Sequence, residues 1–460
     1  MARLLRTLLS LATLALALAA AASAEAETAI APARGFAPRQ LLVKFEGERS
    51  GRAVTLARGS SVTGAARALR ANPDVVYAEP NYLAHASVVR PPPFDPDDSG
   101  VLVPSAGSSS GSGDWALRQW NFLAPEERPG SNLPISPGGI DAVGAWRNLI
   151  EAGRPGAAGT VVAVLDSGVA YRSFGGRFRR SPDFAAAQFV PGYDFVDRDR
   201  LPLDESGHGT HVAGTIGERT GNGLGVTGLA YRAKLMPVRV LDRNGFGTAL
   251  DIVKGIRFAV AHKADVINMS FNFDCGKPVP LVDEALREAY RQGVVTVASA
   301  GNLGSEACVS APATSPRVIG VGGATEGACL GNYSLEGRAN DLHAPGGGIP
   351  PSRCPSVAAR PIYQVTLRPG STRAFAIPAT YVGTSMAAAH VSGVAAMVLA
   401  SGRVNPALKP QAKVGFVMKR LGNTARDLGF SATEQGAGLL DAAAATGTGP
   451  SFSPLSSSGR

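Results

Sequence analysis

From about Asp114 to Ala445, short apolar runs alternate with helical periods, and this alternation predicts the architecture. Val161-Val162-Ala163-Val164-Leu165 is continuously apolar and ends in Asp166, the pattern of a strand buried on both faces. Residues 235–240, 266–269, 294–298 and 318–321 read as further strands. Between them, Leu250, Val253, Ile256 and Val260 share one helical face, and Val282, Ala285, Leu286 and Ala289 mark a second helix. Strand, helix and strand in repetition imply right-handed crossovers. The expected fold class is therefore α/β, a doubly wound, mainly parallel sheet with helices on both faces. Functional groups in such sheets gather at the carboxyl ends of the strands.

Upstream the pattern changes. Leu41-Leu42-Val43-Lys44-Phe45 reads as a strand, residues 65–71 as a short helix and Val75-Val76-Tyr77 as a second strand, a small α+β unit within residues 25–85. Residues 86–113 then collapse into Pro, Ser and Gly, including Pro91-Pro92-Pro93, which is the composition of a flexible linker. At the start, Arg3 and Arg6 precede an apolar run over residues 8–22, followed by Ala22-Ser23-Ala24, which fits small-x-small cleavage. Residues 1–24 are expected to be a secretory signal. A membrane anchor would need about 20 apolar residues with retention flanks, and this run is shorter and rich in Ala. No other stretch of 18 uninterrupted apolar residues occurs, so no transmembrane anchor is expected. The reading is a soluble, secreted monomer, extracellular, periplasmic or at the cell surface. Its main domain spans 114–445 and a Ser/Gly/Pro-rich tail spans 446–460.

Composition narrows the class. Of the 460 residues, 45% are hydrophobic and 18% charged, and the mean hydropathy is +0.06. These values describe a globular chain and exclude wholesale disorder or coiled coil. The net charge of +9 is spread thinly, and no Lys/Arg run is interleaved with aromatics, so no nucleic-acid partner is implied. Export makes the cysteines Cys275, Cys308, Cys329 and Cys354 candidates for disulfides. Four cysteines allow three pairings. Cys275 with Cys308 and Cys329 with Cys354 is favoured because both close short loops, although spacing alone leaves the others open. Zinc is the weaker alternative, because no C-x-x-C pair is present.

Three segments carry chemistry. Asp166 closes a buried strand in Asp166-Ser167-Gly168, His208 lies in Gly207-His208-Gly209-Thr210-His211, and Ser385 opens a small-residue helix in Gly383-Thr384-Ser385-Met386-Ala387. Singly, each has an ordinary explanation: a turn residue, a core imidazole, an N-cap. Together they are the groups that nucleophilic acyl transfer requires. A Ser hydroxyl is a poor nucleophile until a His accepts its proton, and a buried carboxylate must hold that His in the right tautomer. These motifs, in the order Asp, His, Ser, resemble those of the subtilisin-like serine proteases, and the resemblance covers about Asp114 to Ala445. It implies Asp166 as orienting carboxylate, His208 as general base and then acid, Ser385 as nucleophile, and Asn302 of Ala300-Gly301-Asn302 in the oxyanion hole.

The same resemblance suggests further roles. Ser270, Phe271 and Asn272 match the segment that pairs with an extended peptide substrate, and Ser299, Ala300 and Gly301 form the opposite wall. The family often has Gly where Asn272 stands, so this side chain is expected to narrow or polarise the first specificity pocket. The N-terminal unit resembles the family's inhibitory propeptide, a folding helper whose tail occupies the groove, although the short spacing between its matching segments implies that one helix is missing. Autocatalytic removal is expected within residues 82–114. No cofactor is required for the chemistry. Gln119, Asp183 and Asn222 stand where many members bind a structural Ca²⁺, and oxygen ligands suit that ion. Ala388-Ala389-His390 departs from the family's usual Thr/Ser-Pro, a change the helix should survive.

The expected function is thus a secreted serine endopeptidase made as a zymogen, acting on polypeptides. The competing reading is a non-catalytic peptide- or surface-binding protein on the same scaffold, which loses ground because all four groups are present. An α/β-hydrolase esterase is disfavoured, since Gly383-Thr384-Ser385-Met386-Ala387 lacks the second Gly of G-x-S-x-G and the chain order differs.

Overall fold

The computed structural model describes residues 35–86, 115–127, 133–222, 224–304, 310–334, 340–355 and 358–447. The expected signal, nearly all of the linker, the end of the tail and Cys308 lie outside the described residues.

The N-terminal unit comprises β1 (Phe36–Phe45), β2 (Arg52–Thr55), α1 (Val62–Arg70) and β3 (Val75–Ala86). Its strands are antiparallel in the order β2-β1-β3. Ser61 caps α1 by accepting from the Gly64 N–H, and Ala65, Ala66 and Leu69 on its inner face pack with Leu41, Val43 and Phe45. Among the described residues the unit has this single helix, yet it encloses a small core of its own. Strand β3 also runs well beyond Tyr77, through Pro80, because that proline sits in an antiparallel pair with Leu41 instead of ending the strand.

The main domain realises the predicted doubly wound sheet. Its strands are β4 (Val161–Asp166), β5 (Tyr193–Asp194), β6 (Lys234–Arg239), β8 (Val266–Met269), β10 (Val295–Ser299), β11 (Val318–Ala324) and β12 (Leu342–Pro345). They lie in the order β12-β11-β10-β8-β4-β6-β5, and every neighbouring pair is parallel. The continuous apolar run of β4 is explained by the two layers it separates. Val162 and Val164 face α2 (Ala142–Glu151), α3 (His208–Gly217), α6 (Thr384–Ala400) and α7 (Pro410–Asn423), whereas Ala163 and Leu165 face α4 (Ala249–Ala261) and α5 (Pro280–Arg291). Helix α6 is buried around nearly its whole circumference, which requires the small, apolar composition it has. The departure at Ala388-Ala389-His390 leaves it continuous over 17 residues.

Two short strands leave the sheet, β7 (Phe246–Thr248) after β6 and β9 (Phe271–Phe273) after β8. A hairpin of β13 (Thr366–Leu367) and β14 (Phe375–Ala376) precedes α6. Cys329 and Cys354 are joined in a disulfide, with Cα atoms 6.4 Å apart. Cys275 is also disulfide-bonded. Among the described residues no helix is long and apolar enough to cross a membrane.

Candidate active site

The carboxyl ends of β4, β8 and β10 meet the amino ends of α3 and α6. Asp166 is the last residue of β4 and His208 the first of α3. His208 Nδ1 lies 2.7 Å from Asp166 Oδ1, and both side chains are almost completely buried. An ionised carboxylate can only accept, so Nδ1 carries the hydrogen and Nε2 is the free lone pair. Among the described residues Nε2 has no hydrogen-bond partner. Burial pulls the His208 pKa down, but the charge and hydrogen bond of Asp166, helped by Asp204, outweigh it and hold the group above its ordinary 6.5.

The close approach of α3 to β4 depends on Gly209. A Cβ there would lie 2.1 Å from the Gly168 carbonyl oxygen, so any larger residue would push the histidine away from its carboxylate. Asp204, which belongs to none of the motifs, sets this junction. Its Oδ1 accepts from the Ser167 hydroxyl and from the Ser206 and Gly207 N–H groups, and its Oδ2 accepts from the Thr210 N–H and hydroxyl. One buried carboxylate thereby ties the amino end of α3 to the loop after Asp166. The only signal for it in the sequence is a polar residue a few positions before a helix start, which is common and unspecific.

Ser385 lies in the first turn of α6, entered through Gly383 at φ +146°, where a side chain would be strained. Its hydroxyl donates to the Ser270 carbonyl at 3.0 Å. The position is secured from behind. The Ser270 hydroxyl donates to the Ser385 carbonyl, Asn268 Nδ2 donates to the Ser270 hydroxyl, and the Ser392 hydroxyl donates to Asn268 Oδ1, all at 2.8–2.9 Å. The carboxyl end of β8 and two turns of α6 are thus locked together beneath the serine.

Asn302 follows β10. Its Oδ1 accepts from both the N–H and the hydroxyl of Thr384, each at 2.9 Å. Its Nδ2 is buried and has no hydrogen-bond partner among the described residues. With the amide oxygen fixed, the free donor is held at the amino end of α6, where the helix dipole also favours negative charge. Ala300 donates to the Val321 carbonyl at 3.0 Å, and the Gly301 N–H donates to the Thr384 hydroxyl at 3.2 Å.

An extended strand position lies between β7 and β9. It is filled by the end of β3, which pairs antiparallel with both: Leu83 to Thr248 and Ala84 to Gly247 on one edge, His85 to Asn272 and Ala86 to Phe271 on the other. Ser270 comes next, so the tail of the N-terminal unit points at Ser385. Asn272 is buried, and its amide crosses to β10, donating to the Ser299 carbonyl at 2.5 Å and accepting from the Ser299 hydroxyl at 3.1 Å. A glycine would leave that span open. Further back, Asn81 accepts from the Leu250 N–H at the start of α4, and Glu79 accepts from the Leu281 N–H at the start of α5. Lys44 pairs with Glu284 at 2.7 Å.

Gln119, Asp183 and Asn222 gather around the loop after α3, but as a closed network. Asp183 accepts from Asn222 Nδ2 and from the Val226 N–H, and Gln119 both accepts from and donates to the Thr227 backbone. Each of the oxygens expected to face a cation accepts an N–H bond within this network, that of Asn222 from Leu224 at 3.4 Å. The oxygens without hydrogen-bond partners here belong instead to Glu218 and Gln364. Burial, and secondarily Asp183, pushes Glu218 well above the usual carboxylate range, which favours a neutral acid at that point. Among the described residues no group of three or more His, Cys, Asp or Glu side chains is placed to hold a metal.

A parallel α/β sheet that presents a buried Asp–His pair, a helix-borne serine and a fixed amide donor at its carboxyl edge defines a serine hydrolase of the acyl-transfer type. Residues 157–439 match the model of the subtilase family, and the chain belongs to that family, as a serine endopeptidase. It is 32% identical over 345 residues to a thermophilic serine proteinase of Bacillus sp. (strain AK1), covering 75% of this chain and 68% of that one. Identity to thermitase of Thermoactinomyces vulgaris is 33%, over 59% of this chain and 84% of the relative. An extracellular protease of Xanthomonas campestris pv. campestris is 31% identical over 88% of this chain and 64% of its own length. Among solved structures, a protease from Pseudoalteromonas arctica PAMC 21717 superposes with a TM-score of 0.54 at 31% identity, covering 67% of this chain and 94% of that one.

Proposed function

We propose that the chain is a secreted endopeptidase made as a zymogen, with Ser385 as nucleophile, His208 as general base and acid, Asp166 as orienting carboxylate and Asn302 as oxyanion donor. The observation that carries this reading is the Asp166–His208 contact, which leaves Nε2 as the acceptor, and the hydroxyl of Ser385, which bonds the Ser270 carbonyl at 3.0 Å in the absence of substrate, has to turn from it to Nε2 for the reaction. Ser385 Oγ attacks the scissile carbonyl carbon as its proton passes to Nε2. The oxyanion is met by Asn302 Nδ2 and the Ser385 N–H. The C–N bond then breaks, and the leaving amine takes the proton from His208. Water enters, gives a proton to His208 and attacks the acyl carbon; the bond to Ser385 Oγ then breaks as His208 returns the proton to Oγ, which releases the acid and restores both residues. None of these steps calls on a metal.

Substrate binds by adding a strand between β7 and β9, where backbone pairing supplies affinity. The Asn272–Ser299 crossing supports a narrowed first pocket and a preference for small residues there. In the precursor the N-terminal unit holds this position itself. Carrying the β3 register one residue further would set residue 87 opposite Ser270, so processing is expected near the bond between residues 87 and 88.

Labelling the mature protein with a serine-reactive phosphonofluoridate and mapping the peptide tests the assignment, and failure to modify Ser385 would overturn it. A secreted Ser385→Ala form that is still cut within residues 82–114 would remove the autocatalytic part. If a chelator lowers the thermal midpoint, the closed network at Asp183 must open to take an ion after all.

A further inference from the structure

A strongly charged surface beside the site has no role in the chemistry above. Residues 171–182, an insertion after the first catalytic motif, contain Arg172, Arg177, Arg179 and Arg180, and the β13–β14 hairpin adds Arg368 and Arg373. All six are exposed. The two segments form one surface. The Arg179 N–H donates to the Thr372 carbonyl at 3.0 Å, and the Thr372 hydroxyl donates to the Arg177 carbonyl at 2.5 Å. Beneath them, Ala170, Val226, Val365, Leu367 and Phe375 make a separate small apolar cluster. Few acids offset the charge. There is no Asp or Glu at 167–182 or 342–426. The carboxylates of Asp194, Asp197 and Glu205 converge on the buried Arg239, and Glu205 also reaches Arg177, at 3.9 Å.

The position of this surface gives it a use. Strand β13 meets the amino end of the helix that carries His208, since the Thr366 hydroxyl donates to the carbonyl of Gly207, the residue before it. Chain held between β7 and β9 runs towards Ser270 and Ser385. The part of a substrate beyond the scissile bond must therefore leave past His208, on the side of the hairpin.

We propose that this arginine surface binds acidic side chains on the leaving-group side of the scissile bond, so that the enzyme selects polypeptides with Asp or Glu a few residues after the cleaved bond. This rests on the peptidase reading above and extends it to the substrate class. Arginine suits the task because its planar donor fork meets a carboxylate in two parallel hydrogen bonds. The precursor has the same polarity, with Asp95, Asp97 and Asp98 as the first acids downstream of Ala86. A single exposed ion pair changes an equilibrium by no more than about fivefold. Two or three together at low salt are expected to give roughly tenfold, and screening removes most of that at about 0.5 M salt.

The test uses the mature enzyme and three peptides identical up to the cleaved bond, with Asp-Asp, Ala-Ala or Lys-Lys in the second and third positions after it. The expected result is a kcat/KM about tenfold higher for the Asp-Asp than for the Lys-Lys peptide at low salt, collapsing towards unity at high salt. Replacing Arg177, Arg179 and Arg373 together by Ala should abolish the preference and leave the Ala-Ala peptide unchanged, which also shows that the variant is folded. Equal rates for the charged peptides in the unmodified enzyme, or a preference that survives the triple replacement, overturns the proposal. Hydrolysis of none of the three peptides by the unmodified enzyme would instead count against the peptidase reading.

Discussion

Thr384 Oγ1 donates to Asn302 Oδ1 while accepting from the Gly301 N–H, at 2.9 and 3.2 Å. Thr384, the residue before the proposed nucleophile, therefore fixes the orientation of the Asn302 amide and leaves its Nδ2 as the donor for the proposed oxyanion. Removing the donor itself with Asn302→Ala should lower kcat by about 10² to 10³, the usual cost of losing one oxyanion donor. Thr384→Val keeps the backbone bond to Oδ1 but loses the hydroxyl, and about tenfold in kcat is expected from one hydrogen bond. In both variants KM should hardly move, because the contact is made to the transition state.

The pH profile should carry the signature of the Asp166–His208 pair. His208 must be neutral to accept a proton, and its pKa lies above 6.5 because Asp166 overcomes the downward pull of burial. The acid limb of kcat/KM is expected to have its midpoint above that value. In Asp166→Asn only burial remains strong, so the residual activity, reduced by about 10⁴, should have its acid limb shifted to lower pH. A limb that stays in place would show that another group governs it.

Acid stability should be set elsewhere. His390 Nδ1 donates to the Met386 carbonyl and its Nε2 accepts from Asn121, so it is a neutral core residue. Burial holds His390 and His343 down at about 4 and His211 at about 3, against an ordinary 6.5. A depressed histidine leaves the unfolded chain with more bound protons between the two values. Stability is therefore complete above about pH 6.5 and is lost as pH falls towards 4, by up to about 3 kcal/mol per residue. Urea unfolding of Ser385→Ala between pH 7 and 4.5 should show this slope, and His390→Gln should make it shallower.

Release of the N-terminal unit should have the opposite sense. Glu79 is buried at the start of α5, and desolvation lifts its pKa to about 8 in spite of the Leu281 N–H. Free in solution it would be ionised above about 4.5, so docking takes up a proton between 4.5 and 8. Affinity is expected to fall by up to tenfold per pH unit over that window and to level off above it. The inhibition constant of residues 25–87 added to mature enzyme measures this, and Glu79→Gln should flatten the dependence.

The sheet was legible because its central strands are buried on both faces, and unbroken apolar runs such as residues 161–165 report this directly. The strands that escaped notice are those without such a run. Tyr193–Asp194 is only two residues long, and Leu342–Pro345 contains a His and a Pro. Asp166, His208 and Ser385 stood out as candidates because glycines and small residues make their surroundings unusual. Asp204 and Thr384 did not, since a carboxylate that organises backbone N–H groups and a hydroxyl that turns a neighbouring amide look like any loop or cap residue until the chain is folded. The calcium expectation relied on three separated residues, and the fold does bring them near one loop. What sequence could not convey is that their oxygens would be taken up by the N–H groups of that loop.

Between β7 and β9 the molecule leaves room for one strand with both of its edges bonded. A polypeptide can fill that room only if several consecutive residues give up every internal backbone partner at once. A helix or a strand inside a sheet cannot do so without local melting, whereas a loose loop or a denatured chain can at little cost. As the proposed substrate groove, this position would act as a gauge of disorder in its targets. On the proposed binding mode the folded catalytic domain is expected to be a poor substrate for its own copies, and the rate at which another protein is digested should depend strongly on how readily it opens.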